Sequence, residues 1–148
     1  MIAQVAAAGA AFVCMEPVTA VVHRWVMHGP GWVLHQSHHQ SRPGDRRLEA
    51  NDAYPVIFAG STVAVMALGS QVPALRLLLG VGVGVTAYGA AYAFVHDVMI
   101  HRRVLPRLGA TGRLARLRDA HGGHHRFGGA PYGMLWPVVP AERRVAAT

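Results

Sequence analysis

Three long apolar runs divide the chain into membrane-sized pieces. Residues 2–22 are apolar apart from Gln4, Glu16 and Thr19, and further apolar runs cover residues 53–68 and 74–95. An α-helix rises about 1.5 Å per residue, so about 20 apolar residues match the roughly 30 Å hydrocarbon thickness of a bilayer. The pattern therefore predicts three membrane-spanning helices.

Helix breakers and polar stretches separate these runs. Gly29-Pro30-Gly31 ends the first helix, and a short helix is expected to begin at Trp32. The polar residues 40–49 predict an exposed loop, and residues 102–118 predict a short amphipathic surface helix that uses Leu108, Leu114 and Leu117. A last apolar piece, residues 131–140, is too short to span and is expected at the membrane interface or as a lid over a site.

The second and third runs carry further local signals. Asn51 and Asp52 are expected to cap the second spanning helix, with Pro55 in its first turn, and residues 69–73 predict a tight reversal. The third run contains four glycines. They favour either close packing of helix backbones or simple tolerance of glycine in lipid: Gly80, Gly82, Gly84 and Gly89.

Composition supports a membrane protein. Hydrophobic residues make up 52% of the 148 residues and charged residues only 14%, where soluble domains carry about 25% charged residues. The net charge is +7 and all fourteen basic residues are arginines, of which only Arg76 lies near the 69–73 reversal. Because basic residues mark the cytoplasmic side, the other thirteen arginines predict that the polar regions lie inside and the N-terminus outside. Their grouping along the chain also favours a membrane over nucleic acid as the partner.

The beginning of the chain and its cysteine content exclude two other classes. The first apolar run lacks a basic segment before it and leads directly into polar sequence, so we interpret it as a retained membrane segment and not a cleaved signal peptide. Cys14 is the only cysteine, which excludes an intrachain disulfide and a CxxC zinc or redox site.

All ten histidines belong to one pattern that occurs twice, H-x4-H followed by H-x2-H-H. These are His23, His28, His35, His38 and His39 in the first copy, and His96, His101, His121, His124 and His125 in the second. In a helical H-x2-H-H, two imidazoles one turn apart can bind one metal while the third reaches a neighbouring metal. In H-x4-H the two positions differ by roughly 140° around an α-helix, which suits two different metals or a helix that ends between them.

Ten imidazoles without sulfur ligands suit zinc, iron or copper, and they are too many for one ion. We therefore predict a histidine-lined two-metal centre; the alternative is a membrane protein with a histidine-rich surface. Asp97 follows His96 and is expected to orient an imidazole or to serve as a surface or capping residue. Glu16 is costly inside a bilayer and is expected either to hydrogen-bond between helices or to support a metal ligand.

The residues between the histidines resemble those of the bacterial β-carotene hydroxylases, which belong to the fatty acid hydroxylase and sterol desaturase superfamily. The resemblance runs from about residue 13 to 134 and is carried by HRWVMHGPGWVLHQSHH, LEANDAYPVIFAG, TAYGAAYAFVHDVMIHRR and HGGHHRFGGAPYGM. It implies a non-haem diiron monooxygenase that takes dioxygen and electrons from reduced ferredoxin or a similar carrier. It also implies hydroxylation of position 3 of β-ionone rings, from β-carotene to β-cryptoxanthin and zeaxanthin, with all ten histidines as iron ligands.

The fold class that follows is an all-α integral membrane protein with about three spans, a cytoplasmic histidine-rich di-metal cap and a single domain, residues 1–148, in the bacterial inner membrane. A carotenoid would enter from the lipid phase through a channel between the spans. Its candidate lining residues are Trp25, Trp32, Tyr88, Tyr92, Phe94 and Trp136. Alternatives are another membrane lipid hydroxylase or desaturase, a carotenoid ketolase, or a non-enzymatic metal protein; a transporter would instead place its histidines within the spans.

Overall fold

The structure is a computed structural model that describes residues 1–42, 48–104, 109 and 111–137. Those residues are helical or irregular and contain no strand, which confirms the predicted all-α class. The α-helices are α1 (Ile2–Val21), α2 (Trp32–Gln40), α3 (Ala53–Gln71), α4 (Leu77–Ala93) and α5 (Gly112–Phe127). Two π-helical segments, Val22–Met27 and Phe94–Ile100, follow α1 and α4, and 3-10 turns occupy Ala50–Asp52 and Pro73–Leu75.

Three continuous helical stretches are long and apolar enough to cross a membrane, as the sequence predicts. They are Ile2–Met27, Ala50–Gln71 and Leu77–Ile100, with 26, 22 and 24 residues. Large apolar side chains on them are exposed in the isolated chain, among them Ile2, Val56 and Val63. Exposed apolar surface on this scale indicates an apolar surrounding rather than water.

The chain forms two compact units. The first consists of Met1–Met15 and Asp52–Ala91, and the second of Glu16–Asn51 and Tyr92–Thr148. The prediction of one domain over residues 1–148 stays a prediction.

Glycines bring the helices of the first unit close together. A Cβ on Gly80 or on Gly84 would overlap the backbone carbonyl of Gln4 or of Ala8 in α1. A Cβ on Gly82 would overlap the side chain of Met66 in α3, whereas one on Gly89 would meet nothing. The first three glycines therefore serve close packing, and Gly89 fits the tolerance interpretation.

The second unit contains a small apolar cluster and the histidines. Buried Val95, Ile100 and Met134 pack with four partly buried residues, Tyr92, Leu114, Leu117 and Leu135. Two leucines of the predicted surface helix thus face this cluster, while Leu108 and residues 43–47 of the predicted 40–49 loop lie outside the described residues. The helix itself runs on through Gly122 and Gly123 to Phe127, so the second H-x2-H-H lies on regular α-helix.

Two local predictions differ from the structure. Asp52 lies in the 3-10 turn in helical conformation and makes no side-chain cap to α3, and the Asn51 side chain bonds to a histidine instead. The reversal begins at Val72, since Gly69 still belongs to α3.

Candidate metal centre

The two π-helical segments carry the two H-x4-H motifs. The His28 N–H donates to the His23 carbonyl at 3.0 Å, and the His101 N–H donates to the His96 carbonyl at 2.8 Å. A π-helical hydrogen bond joins residues five apart, so the two histidines of each motif lie one turn apart. We predicted that H-x4-H suits two different metals or a helix that ends between its histidines. This was wrong at His23 and His28, which belong to the same group, because the prediction assumed α-helical spacing.

Nine of the ten predicted ligands form two groups in which one ring nitrogen from each residue lies within 4.8 Å of all the others. The first group is His23, His28, His35, His39 and His124; the second is His38, His101, His121 and His125. Each H-x2-H-H triplet contributes its outer two histidines to one group and its middle histidine to the other. This is the division that helical spacing predicts.

The duplicated sequence pattern is a twofold arrangement in space. Exchanging each histidine for its counterpart in the other motif copy converts the first group into the second group together with His96. The His39 and His125 rings stack at 4.3 Å with an interplanar angle of 10°, between the two groups.

His96, the tenth histidine, is the counterpart of His23. The His23 ring centre lies 5.0, 4.9 and 4.7 Å from those of His28, His35 and His124. The His96 ring centre lies 4.5, 5.1 and 4.7 Å from those of the counterparts, His101, His121 and His38. His96 therefore borders the second group as His23 borders the first, although its nitrogens are not among those that meet within 4.8 Å.

Oxygen acceptors fix the proton on Nδ1 of five imidazoles. His23 donates to the Tyr132 carbonyl at 3.0 Å, His35 to Asn51 Oδ1 at 2.7 Å, and His124 to the Gly129 carbonyl. His38 donates to Glu49 Oε2 and His96 to Asp97 Oδ1, each at 2.9 Å. Because these oxygens only accept, each Nδ1 carries the hydrogen and each Nε2 keeps a lone pair.

These lone pairs point at one another, which is the observation that fits a metal. His23 Nε2 and His35 Nε2 lie 3.1 Å apart, and neither has a hydrogen to donate to the other. Among the described residues, the buried Nε2 atoms of His38, His39 and His125 find no hydrogen-bond partner. Nitrogen ligands about 2.0–2.1 Å from a shared ion lie about 3 Å apart, so the histidine groups are able to bind metal.

Burial favours the neutral form of six of the histidines. It lowers the pKa of His28 and of His35 to about 4, and that of His39 to about 3. Burial also lowers the pKa of His101 to about 2, and the pKa values of His121 and His125 fall well below the ordinary range for the same reason. Neutral imidazole is the form that binds metal.

The residues that orient the imidazoles were mostly not predicted. Asp97 contacts a histidine as expected, but Asn51, Glu49, Tyr132 and Gly129 were missed. Asn51 was interpreted only as a helix cap. The two carbonyls belong to the backbone and leave no signal in residue types.

Glu16 has partners other than the two predicted ones. Its carboxylate, 4% exposed, accepts the backbone N–H groups of Met134, Leu135 and Trp136 at 2.8, 3.0 and 3.1 Å. Consecutive backbone N–H groups form an anion-binding nest, so Glu16 holds the segment that carries Tyr132. This segment lies against the first group as predicted for a lid, since the Tyr132 ring contacts His23, His28 and His124.

The six predicted channel residues have different surroundings. Trp32 lies 5.4 Å from the His28 ring and 5.2 Å from the His39 ring, and Tyr92 lies 5.2 Å from the His96 ring. Tyr88 is buried against Phe12 in the first unit. The remaining three are at least two-fifths exposed: Trp25, Phe94 and Trp136.

A cavity of about 560 Å³ opens on the second group and also reaches His39 of the first. Its walls include His101, His121 and His125 together with Arg102, Arg118 and Arg126, and among the described residues they include none of the six channel candidates. The arginines give the second group a positively charged approach.

Comparison with known proteins agrees with the site. Residues 8–140 match the family model described as fatty acid hydroxylase. The chain is 41% identical over 142 residues to "Beta-carotene hydroxylase" of Pantoea ananas, covering 90% of this chain and 76% of that protein. It is 38% identical over 138 residues to the protein of the same name from Pseudescherichia vulneris, covering 88% and 74%.

A plant relative is also similar. "Beta-carotene 3-hydroxylase 1, chloroplastic" of Arabidopsis thaliana is 35% identical over 132 residues, which are 84% of this chain and 41% of that protein. No solved structure matches the chain significantly.

Proposed function

The chain belongs to the fatty acid hydroxylase family, and from that premise we propose that it is a membrane monooxygenase that hydroxylates position 3 of β-ionone rings. β-Carotene would be converted to β-cryptoxanthin and then to zeaxanthin. The observation that carries the proposal is the pair of histidine groups with converging Nε2 lone pairs, in a chain whose similar proteins bear the name β-carotene hydroxylase.

The proposed occupants of the two groups are two iron ions. Imidazole ligands accept several transition metals, and iron is chosen because C–H hydroxylation needs a redox-active ion. When bound, the iron pair supplies the activation of dioxygen with electrons from reduced ferredoxin or a similar carrier.

The protein's own contribution is to hold and orient the ligands. The Nδ1 hydrogen bonds of His23, His35 and His38 aim each Nε2 into a group. Burial of the histidines excludes water, which protects a reactive centre from side reactions. The proposal needs no acid–base pair from the protein in the hydroxylation step.

The carotenoid is proposed to arrive from the lipid phase. Trp32 and Tyr92 are the channel candidates whose rings contact ligand histidines, so they are proposed to contact the ring being hydroxylated. The other four candidates, Trp25, Tyr88, Phe94 and Trp136, stay predictions.

The electron carrier is proposed to approach by the arginine-lined cavity. Arg102, Arg118 and Arg126 line it beside the second group, and a cluster of cations attracts an acidic partner. The protein is further proposed to lie in the bacterial inner membrane with its histidine motifs in the cytoplasm, since thirteen of fourteen arginines flank or follow those motifs.

The test is pigment analysis in a bacterium that already makes β-carotene. The parent chain should yield zeaxanthin, while His124→Ala should leave β-carotene unchanged. Cys14→Ser, at an exposed position, serves as the matched control and should behave as the parent.

Two results would contradict the proposal. One is unchanged β-carotene from a parent that is well expressed, carries iron and is supplied with ferredoxin and its reductase. The other is zeaxanthin from the His124→Ala variant. If β-carotene is unchanged, hydroxylated fatty acids or sterols in the same extracts would indicate another lipid hydroxylase, and keto-carotenoids would indicate a ketolase.

A further inference from the structure

The twofold arrangement of the histidines allows the two groups to be compared position by position. His23 corresponds to His96, and His124 corresponds to His38. In all four, Nδ1 donates to an oxygen. The groups differ at these positions in the acceptor; His96 also differs from His23 because its nitrogens are not among those that meet within 4.8 Å.

The acceptors differ in charge. On the first group, His23 and His124 donate to the neutral backbone carbonyls of Tyr132 and Gly129, and His35 donates to the neutral amide of Asn51. At the matching places on the second group, His38 and His96 donate to carboxylates.

Of the two carboxylates, Glu49 has the stronger electrostatic effect on the imidazole that it bonds. Its side chain is 7% exposed and bonds an imidazole whose side chain is 1% exposed, so water screens the interaction little. Asp97 is 32% exposed, and Arg103 lies 3.7 Å from it and offsets part of its charge.

A carboxylate that accepts the Nδ1 hydrogen makes the imidazole a more basic ligand, and its negative charge lies near the bound cation. Loss of such an outer partner typically lowers metal affinity about 10–100-fold. A neutral carbonyl orients the ring equally well without adding charge.

We infer that the two metal sites are inequivalent, and that the second group binds a divalent metal more tightly than the first because Glu49, helped by Asp97, supports its ligands. The inference rests on the metal-binding part of the proposed function. It requires nothing of the organic substrate.

The test is titration of the full-length, metal-stripped chain in detergent with Co²⁺, whose visible absorption reports binding. The parent should take up two equivalents in two separate steps. His28→Ala and His101→Ala stand at corresponding positions and leave the second and the first group whole, respectively. The first Co²⁺ should bind to the His28→Ala protein at least about 10-fold more tightly than to the His101→Ala protein.

Charge substitutions assign the cause. Glu49→Gln keeps an oxygen that accepts from His38 and removes only the charge. In the His28→Ala background it should weaken Co²⁺ binding about 10-fold or more, and in the His101→Ala background it should change binding little. Asn51→Asp in the His101→Ala background should tighten binding, because it adds a charge next to His35.

Several outcomes would overturn the inference. Equal affinities of the two histidine variants for the first Co²⁺, or equal weakening of both by Glu49→Gln, would refute inequivalence while leaving metal binding intact. A parent that binds no Co²⁺, Zn²⁺ or Fe²⁺ would refute both proposals. If a histidine variant does not fold, Glu49→Gln in the otherwise unchanged chain provides the test. Its two Co²⁺ binding steps should merge into one. Two steps that remain separate would refute the role of Glu49.

Discussion

Single hydrogen bonds decide what each imidazole offers to a metal. A histidine can carry its hydrogen on either nitrogen, and the acceptor at Nδ1 selects the tautomer that leaves Nε2 free. Tyr132, Asn51 and Glu49 perform this task for three histidines. The chemistry of the centre is therefore set by residues that would not themselves bind the ion.

The buried imidazoles also predict a dependence of stability on pH. The pKa of His101 in the folded chain is about 2, and those of His28 and His35 are about 4, against about 6.5 in an unfolded chain. As pH falls below 6.5, these histidines are protonated in the unfolded chain but not in the folded chain. The free energy of unfolding therefore decreases by about 1.4 kcal/mol per pH unit for each fully buried group.

The metal-free protein should therefore lose stability between about pH 6.5 and pH 4 and be insensitive to pH from 7 to 8. Thermal unfolding in detergent at pH 7.5 and pH 5 measures this difference. Partly exposed His28 contributes less because water screens it. A melting temperature that does not fall at pH 5 would show that these histidines are not buried in the metal-free protein.

The hydrogen bonds of Glu16 predict how strongly the segment that contains Met134 is held. Hydrogen bonds to a charged acceptor contribute about 1.5–3 kcal/mol each, and Glu16→Gln replaces the carboxylate by an amide that presents a donor to the nest. Amide hydrogen exchange at Met134, Leu135 and Trp136 should become at least about 10-fold faster, since each 1.4 kcal/mol lost is a factor of ten. Gln4→Ala on the same helix should leave these amides unchanged; equal exchange in both variants would exclude the nest as the anchor.

At the scale of elements, helix geometry departs from the regular α form where the ligands lie. Both H-x4-H motifs are π-helical, and π-helical turns occur frequently at functional sites. The widened turn brings His23 and His28 to one group. An α-helix would have separated them by roughly 140°.

The packing of α1 on α4 gives a prediction with an internal control. Gly84→Ala should lower the thermal stability of the detergent-solubilised protein, by about 1–3 kcal/mol as in an overpacked core, because its Cβ overlaps the Ala8 carbonyl. Gly89→Ala, also in α4, meets no atom within 4 Å and should be neutral or slightly stabilising. Equal effects of the two substitutions would show that α1 does not pack on α4 at Gly84.

At the scale of the whole molecule, the charges predict a single orientation. With three spans and the arginine-rich regions inside, the N-terminus lies outside. An alkaline phosphatase fused before Met1 should be active, and a green fluorescent protein fused after Thr148 should fluoresce in intact cells. Charge reversal at Arg76 should leave this orientation unchanged; the opposite fusion pattern would contradict the cytoplasmic placement of the histidines.

The amino-acid sequence by itself determined the three apolar helices, the short α2, the two copies of the histidine pattern and the division of each triplet between two groups. These features follow from hydrophobic periodicity and helical spacing, which act over a few residues. The division of each triplet was therefore predictable from HQSHH or HGGHH alone, and the three apolar helices from the lengths of their own apolar runs.

Only the tertiary structure decided which histidine of each motif copy joins the group formed mainly by the other copy. It also decided which acceptor bonds the Nδ1 of each ring. His124 meets His23, 101 residues earlier in the sequence, and Tyr132 reaches the same ring through a backbone carbonyl. Backbone carbonyls have no residue type, and the π-helical turns and the nest around Glu16 depend on how distant segments pack. Such contacts are set by three-dimensional packing, and no pattern along the chain encodes them.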